Sequence, residues 1–254
     1  MPLTNISTRL RVETADNVLI GGLIITGTQP KKVLVRACGP SLEVADRLND
    51  PILELRDSAG GLVATNDNWL DAPNAQEIID TTIPPGNNLE SAILMSLQPG
   101  TYTASVRGKA NGTGIAVVEA YDLDPMVDSK LANISTRGFV NQGDDVMIGG
   151  TIITGAMPTN VLIRAIGPSL TSAGIANALQ DPTLELYDSH GELIASNDNW
   201  RSNQESEILA TNIAPTNDME SAIVRRLTPG AYTTIVRGKN NSTGVALVEA
   251  YQLP

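Results

Sequence analysis

The chain has 254 residues, a formal net charge of -11 and a single cysteine. That length suits one large or two ordinary domains. An acidic chain without a Lys/Arg stripe repels a phosphate backbone, which excludes nucleic acid as a partner, and a lone thiol excludes an internal disulfide or a cysteine metal cluster.

In chain order, "LTNISTR" (3–9) and "VLIGGLIITG" (18–27) come first, followed by "KKVLVRAC" (31–38) and "GPSL" (39–42). "DPILELRDSAGGLVATNDNW" (50–69) reads as two apolar runs around an Asp/Gly hairpin turn, ending in an Asn-Asp-Asn cluster. "AQEIIDT" (75–81) has room for one helical turn, and "ESAILMSL", "TYTASVRG" and "GIAVVEAY" complete the set. These runs are short, rich in Val, Ile and Thr, and bounded by Gly, Pro, Asn or Asp, so each predicts a strand.

The whole series then returns. "LANISTR" (131–137), "VMIGGTIITG" (146–155), "VLIRAIGPSL" (161–170), "DPTLELYDSHGELIASNDNW" (181–200), "PGAYTTIVRGK" (229–239) and "TGVALVEAYQL" (243–253) match the first half in order. A period this long predicts two homologous domains, 1–126 and 127–254, and not a solenoid. About eight strands per copy predict an all-β chain of two tandem antiparallel β-sandwiches, jelly-roll-like in kind. Aromatics make up 3% of the chain, so each core must be aliphatic. Along "TYTASVRG", Tyr102, Ala104 and Val106 share one face. Arg36, Glu54, Arg107 and Glu119 recur as Arg164, Glu185, Arg237 and Glu249, which fits cross-strand ion pairs or solvated charges.

The duplication tests each candidate for chemistry. His190 has Ala59 at its counterpart position and Cys38 has Ile166, so neither serves a function shared by the copies. Ser41 and Ser169 in "GPSL" lack a duplicated histidine to activate them. Acids are plentiful, but a carbohydrate-cleaving cleft usually adds aromatic platforms that this chain lacks. The expectation is therefore a non-enzyme.

The doubled "NDNW" offers hard oxygen ligands. Asn66, Asp67 and Asn68, with Glu90 from "NNLESAI", form one candidate Ca²⁺ site. Asn197, Asp198 and Asn199, with Glu220 from "NDMESAI", form the other. Such clusters also close turns unaided, by side-chain bonds to their own backbone. Trp69 and Trp200 read as caps on the core, or as sugar-stacking rings if exposed.

The string "LELYDSHGELIASNDN…PGAYTTIVRG" resembles the bacterial pre-peptidase C-terminal domain family. Tyr187, Asp188, Gly191, Asn197 and Asp198 match its hairpin, and Pro229, Gly230, Tyr232, Val236 and Gly238 match its following strand. Arg56 stands where Tyr187 does in the first copy, and Asn68 and Asn199 replace a second acid. The resemblance implies a jelly-roll-like sandwich on secreted proteins, some of which bind calcium or matrix polymers. The leading "NISTR…IGG…GPSL" part is similar to repeat modules of large exported bacterial proteins.

No apolar stretch reaches the ~18 residues of a membrane helix, which predicts no membrane insertion. "MPLTNISTRL" lacks the parts of a signal peptide, so an extracellular or cell-surface setting implies a mature segment. The expected function is a structural subunit that self-associates head to tail, a C-terminal end meeting a donated "NISTR" strand. The alternative is an adhesion module for polysaccharide or matrix, with calcium as a helper.

Overall fold

The computed structural model describes residues 3–15 and 17–253; the side chains at 3, 4, 6 and 132–134 are not described. In the first copy the strands are β1 (Leu3–Val12), β2 (Leu19–Gly27), β3 (Lys31–Cys38), β4 (Pro51–Asp57), β5 (Leu62–Asn66), β6 (Ser91–Leu97), β7 (Gly100–Gly108) and β8 (Gly114–Asp122). The second copy repeats them as β9 (Ser129–Val140), β10 (Met147–Ile153), β11 (Thr159–Ile166), β12 (Pro182–Tyr187), β13 (Leu193–Asn197), β14 (Ser221–Leu227), β15 (Gly230–Gly238) and β16 (Gly244–Gln252). One short helix stands before the sixth strand of each copy, α1 (Ala75–Asp80) and α2 (Glu205–Ala210).

Within the first copy the strands pair as β1-β8-β3-β6 and β2-β7-β4-β5, and in the second as β9-β16-β11-β14 and β10-β15-β12-β13. Two facing four-stranded sheets in this order are a jelly roll. The sheets do not stop at the copy boundary. β1 pairs with β10 and β9 with β2, all antiparallel. The result is two eight-stranded sheets, β13-β12-β15-β10-β1-β8-β3-β6 and β14-β11-β16-β9-β2-β7-β4-β5. Exchanging the copies maps one seam onto the other, so the molecule has a pseudo-twofold axis.

The two most repetitive motifs build this seam. Ser7 and Thr8 of the first "NISTR" face Gly150 and Gly149 of the second "IGG", while Ser135 and Thr136 face Gly22 and Gly21. A Cβ at Gly22 would fall 2.4 Å from Ser135 Oγ, and one at Gly150 2.5 Å from Ser7 Oγ. Glycine there gives the opposing serine its space. At the centre, Thr8 and Thr136, equivalent residues of the two copies, share a hydroxyl hydrogen bond of 2.8 Å.

Alternation then sorts the side chains. On β8, Ala116, Val118 and Ala120 turn inward, and Glu119 and Tyr121 turn outward. One contiguous aliphatic core runs through both copies, including Leu10, Leu23, Val35, Leu53, Ile163, Leu184 and Val236. Each fully buried aliphatic side chain contributes roughly 1.5–3 kcal/mol. Smaller clusters around Trp69 with Ile78, and Trp200 with Ile208, fasten α1 and α2 to the outer faces.

The seam corrects one expectation. β1 is paired on both sides, by β8 and β10, and β9 likewise by β16 and β2. The "NISTR" strands have no open edge to donate to a neighbour, because the chain's own "IGG" strands occupy it. Met1 and Pro2, which precede the first of them, lie outside the described residues.

Candidate cation sites

Most of the residues singled out by the duplication hold the scaffold. Glu90 is fully buried, and its carboxylate spends its oxygens on neighbours. Oε1 accepts from Gly39 N at 3.0 Å, Ser41 N at 2.9 Å and Ser41 Oγ at 2.6 Å, and Oε2 accepts from Asn87 N at 3.1 Å. Glu220 does the same for Gly167, Ser169 and Asn217. Neither acid turns toward the Asn-Asp-Asn cluster; each instead clamps the "GPSL" turn. The Ser41 and Ser169 hydroxyls donate to these glutamates and help hold the turn.

Asn66 is occupied too. Its Oδ1 accepts from Ala92 N at 2.9 Å and its Nδ2 donates to the Asn68 carbonyl at 3.1 Å. Asn197 repeats both bonds, to Ala222 and Asn199. Trp69 and Trp200 are buried, at 6% and 1% exposure, with the indole N–H on the Asn87 and Asn217 carbonyls. They cap the core and offer no ring for sugar stacking. Burial also pushes the Cys38 thiol far above its usual range, which removes its nucleophilic form.

The outer sheet faces carry the doubled charges as ion pairs. Arg36 reaches Glu119 across the β3–β8 ladder, and donates further to Tyr121 Oη at 2.9 Å and the Ile83 carbonyl at 2.6 Å. Arg164, Glu249, Tyr251 and Ile213 repeat the set. Loss of water, then the charge of Glu119, pushes the Tyr121 hydroxyl up to about 12, and Tyr251 beside Glu249 likewise to about 12. Glu54 is held below its usual range by hydrogen bonds from Arg56 and Arg107.

What this leaves over is informative. Among the described residues, the buried side-chain oxygens and nitrogens without a hydrogen bond are Oδ1 of Asp50, Asp67 and Asn68, and Oδ1 of Asp181, Asp198 and Asn199. They form the same triplet in both copies. Lys109, just after β7, stands between the first two acids, with Nζ 2.7 Å from Asp67 Oδ2 and 3.6 Å from Asp50 Oδ2. Lys239 repeats this at 2.6 Å from Asp198 and 3.7 Å from Asp181. The bond to Asp67 raises the Lys109 ammonium above its usual value, as Asp198 does for Lys239. Asp181 is raised as well, chiefly by lost hydration.

Two aspartates against one lysine leave each cluster a negative charge over, with three inward oxygens lacking a donor. Among the described residues no group of three or more His, Cys, Asp or Glu is placed to hold a metal; here two carboxylates are joined by an amide. An oxygen-only donor set suits a hard cation such as Ca²⁺ and not zinc.

Of the residues expected as ligands, Asp67, Asn68, Asp198 and Asn199 keep a free oxygen, and Asn66, Glu90, Asn197 and Glu220 do not. Asp50, Asp181, Lys109 and Lys239 were missed. The repeated "DP" and "RGK" carried the signal for them.

No protein-family model and no curated protein matches the chain. Among solved structures it is similar to a chain in the structure of Sulfolobus turreted icosahedral virus, at 11% identity over 100% of this chain and 86% of that one, TM-score 0.25. It is also similar to a DUF4785 family protein from Legionella pneumophila, at 10% identity over 100% of this chain and 65% of that one, TM-score 0.29. At these values neither says what this chain binds or does. Among the described residues no helix is long and apolar enough to cross a membrane.

Proposed function

We propose that this chain is a non-enzymatic structural protein of the cell exterior that self-associates end to end, with a hard divalent cation, Ca²⁺ foremost, locking the loops of each copy. The observation that carries the reading is an open, short edge at each end of the molecule. β5 ends one sheet and β13 the other, each paired on one side only. Leu62 and Leu193, equivalent residues on these edges, are 54% and 53% exposed.

The other two edges suit pairing less well. On β6, Asn66 and Asn74 hold Ala92 N and the Leu94 carbonyl, and on β14, Asn197 and Gln204 hold Ala222 N and both backbone groups of Val224. Side-chain amides there blunt the strand against another chain. β5 of one molecule against β13 of the next is a heterologous contact, which builds an open fibre or a closed ring. The absence of catalysis is supported by the scaffold bonds that occupy the duplicated Ser and Glu residues. The exterior setting rests on the resemblance to exported modules.

Sedimentation velocity tests the assembly. Growth with concentration is expected, and the Leu62→Lys/Leu193→Lys variant should lose it, because edge charges block pairing. A monomer at every concentration would sink the reading. For the cation, Ca²⁺ should raise the melting temperature relative to a chelator, since a ligand at 100 times its Kd adds about 2.7 kcal/mol per site. Asp67→Ala and Asp198→Ala should each remove part of that gain. An unchanged melting temperature returns the six oxygens to water.

A further inference from the structure

The second copy has basic side chains where the first has none. On β14, Arg225 and Arg226 occupy the positions of Met95 and Ser96 on β6, and His190, in the turn between β12 and β13, replaces Ala59. All three are exposed. Among the described residues neither arginine side chain makes a hydrogen bond or an ion pair. In a chain of net charge -11, two adjacent unpaired arginines on one strand are unusual.

They border a cavity of about 330 Å³, whose wall also includes Asp188, His190 and Tyr232. Ile194 and Arg225 belong as well to a neighbouring concavity of about 270 Å³, lined by Ser196, Asn203 and Gln204. The two make one groove along the gap between β13 and β14, the last strands of the two sheets. One half of the groove is cationic. The other is walled by hydroxyl and amide groups, and the side chains of Ser196 and Asn203 have no partner among the described residues.

We infer that this groove binds an anionic polysaccharide, its carboxylate or sulfate groups on Arg225 and Arg226 and its hydroxyls along Ser196 and Asn203. A guanidinium is a planar fork that matches either anion with two parallel hydrogen bonds. Successive strand residues point to opposite faces, so the two arginines meet a chain from both sides of the edge and do not crowd a single ion. Asp188 is the acid in the wall, and its Oδ1 is already engaged by the His190 and Glu192 backbone N–H groups at 2.8 and 3.0 Å. The chain's overall negative charge is screened beyond about 8 Å at physiological salt, and within the wall two arginines stand against the one carboxylate of Asp188. A small anion would leave the polar half unfilled; a polymer of hydroxyl-bearing units fits both halves. The groove runs beside β13, so a polymer bound there would compete with the end-to-end contact proposed above.

The first copy supplies the test variant. Arg225→Met/Arg226→Ser writes the residues of β6 into exposed positions of β14, so the fold should be kept, as circular dichroism would verify. Calorimetric titration of both proteins with a uronate oligosaccharide and a sulfated one should show binding to the native chain. The variant should lose about tenfold or more, as expected for charge-assisted hydrogen bonds, and added salt should weaken binding. Inorganic sulfate and a neutral glucan are the controls. Equal binding by the variant would overturn the site. Sulfate bound as tightly as the oligosaccharides, or the neutral glucan bound as well, would overturn the polysaccharide.

Discussion

At the seam the two copies face each other position for position, and equivalent residues have taken different courses there. Thr8 and Thr136 have stayed alike and share a hydrogen bond of 2.8 Å. Two residues further on, the equivalent pair is Leu10 and Gly138, and a Cβ on Gly138 would lie 1.9 Å from Leu10 Cδ2. Near a pseudo-twofold axis two identical side chains compete for one space. Hydroxyls can meet there by bonding, whereas two leucines cannot. Away from the axis the copies differ in another way. The first buries Lys31 against Asp122, both side chains at 0% exposure, and the second has Thr159 and Gln252 at those positions. Lys31 Nζ contacts both Asp122 oxygens at 3.0 and 2.8 Å and the Asp124 carbonyl at 2.8 Å, so the pair pins the link that leads into β9. One scaffold accepts an ionic or a neutral solution at the same place. The ionic one fixes a connection, and removing half of it should cost more than replacing all of it.

That contrast gives the largest expected effect. Asp122→Ala strands a fully buried ammonium and should destabilise by about 3–5 kcal/mol. Lys31→Thr/Asp122→Gln, which imports the pair of the second copy, should cost less than either single change. Urea melts measure both, and a cost under about 1 kcal/mol for Asp122→Ala would break the comparison.

The seam comes next. Gly138→Leu should cost about 1–3 kcal/mol by overpacking against Leu10. Adding Leu10→Gly moves the large residue to the other side of the axis and should recover much of the loss. A double-mutant cycle with no coupling would mean that the two positions do not share a space.

The smallest effect should be the same in both copies. Tyr121 and Tyr251 ionise near 12 when folded and near 10 when unfolded. Between those values the folded form holds more protons, so stability falls as pH rises through the window. Below 10 the contribution is fully present. Tyr121→Phe and Tyr251→Phe should each flatten the alkaline limb of a stability-against-pH curve by a similar amount. Unequal flattening would show that the two outer faces have diverged as the seam has.

The strands, the turns and the doubling were legible because a period of two and the Asx/Gly turn chemistry are local. The seam was not, since "NISTR" and "IGG" announce themselves as repeats without saying which copy's motif each will pair with. Glu90 and Glu220 were legible as special but not as clamps on the "GPSL" turn, because residue type does not say which N–H groups a carboxylate will meet. Asp50 and Lys109 passed unweighed inside repeated strings, although the test of duplication would have selected them. Lys31 with Asp122, and the arginines of β14, occur in one copy only, so that test is blind to them. These unmatched residues carry what distinguishes one copy from the other.

The seam also sets a valence. A solenoid unit has two joining faces, one for the neighbour before and one for the neighbour after, and so can be added without limit. Each jelly roll here joins through one face, made by its first two strands, and the other copy saturates it completely. A third copy appended to this gene product would find that face already taken. Duplication on this plan therefore closes at two, and any larger body must be built from pairs through a different surface.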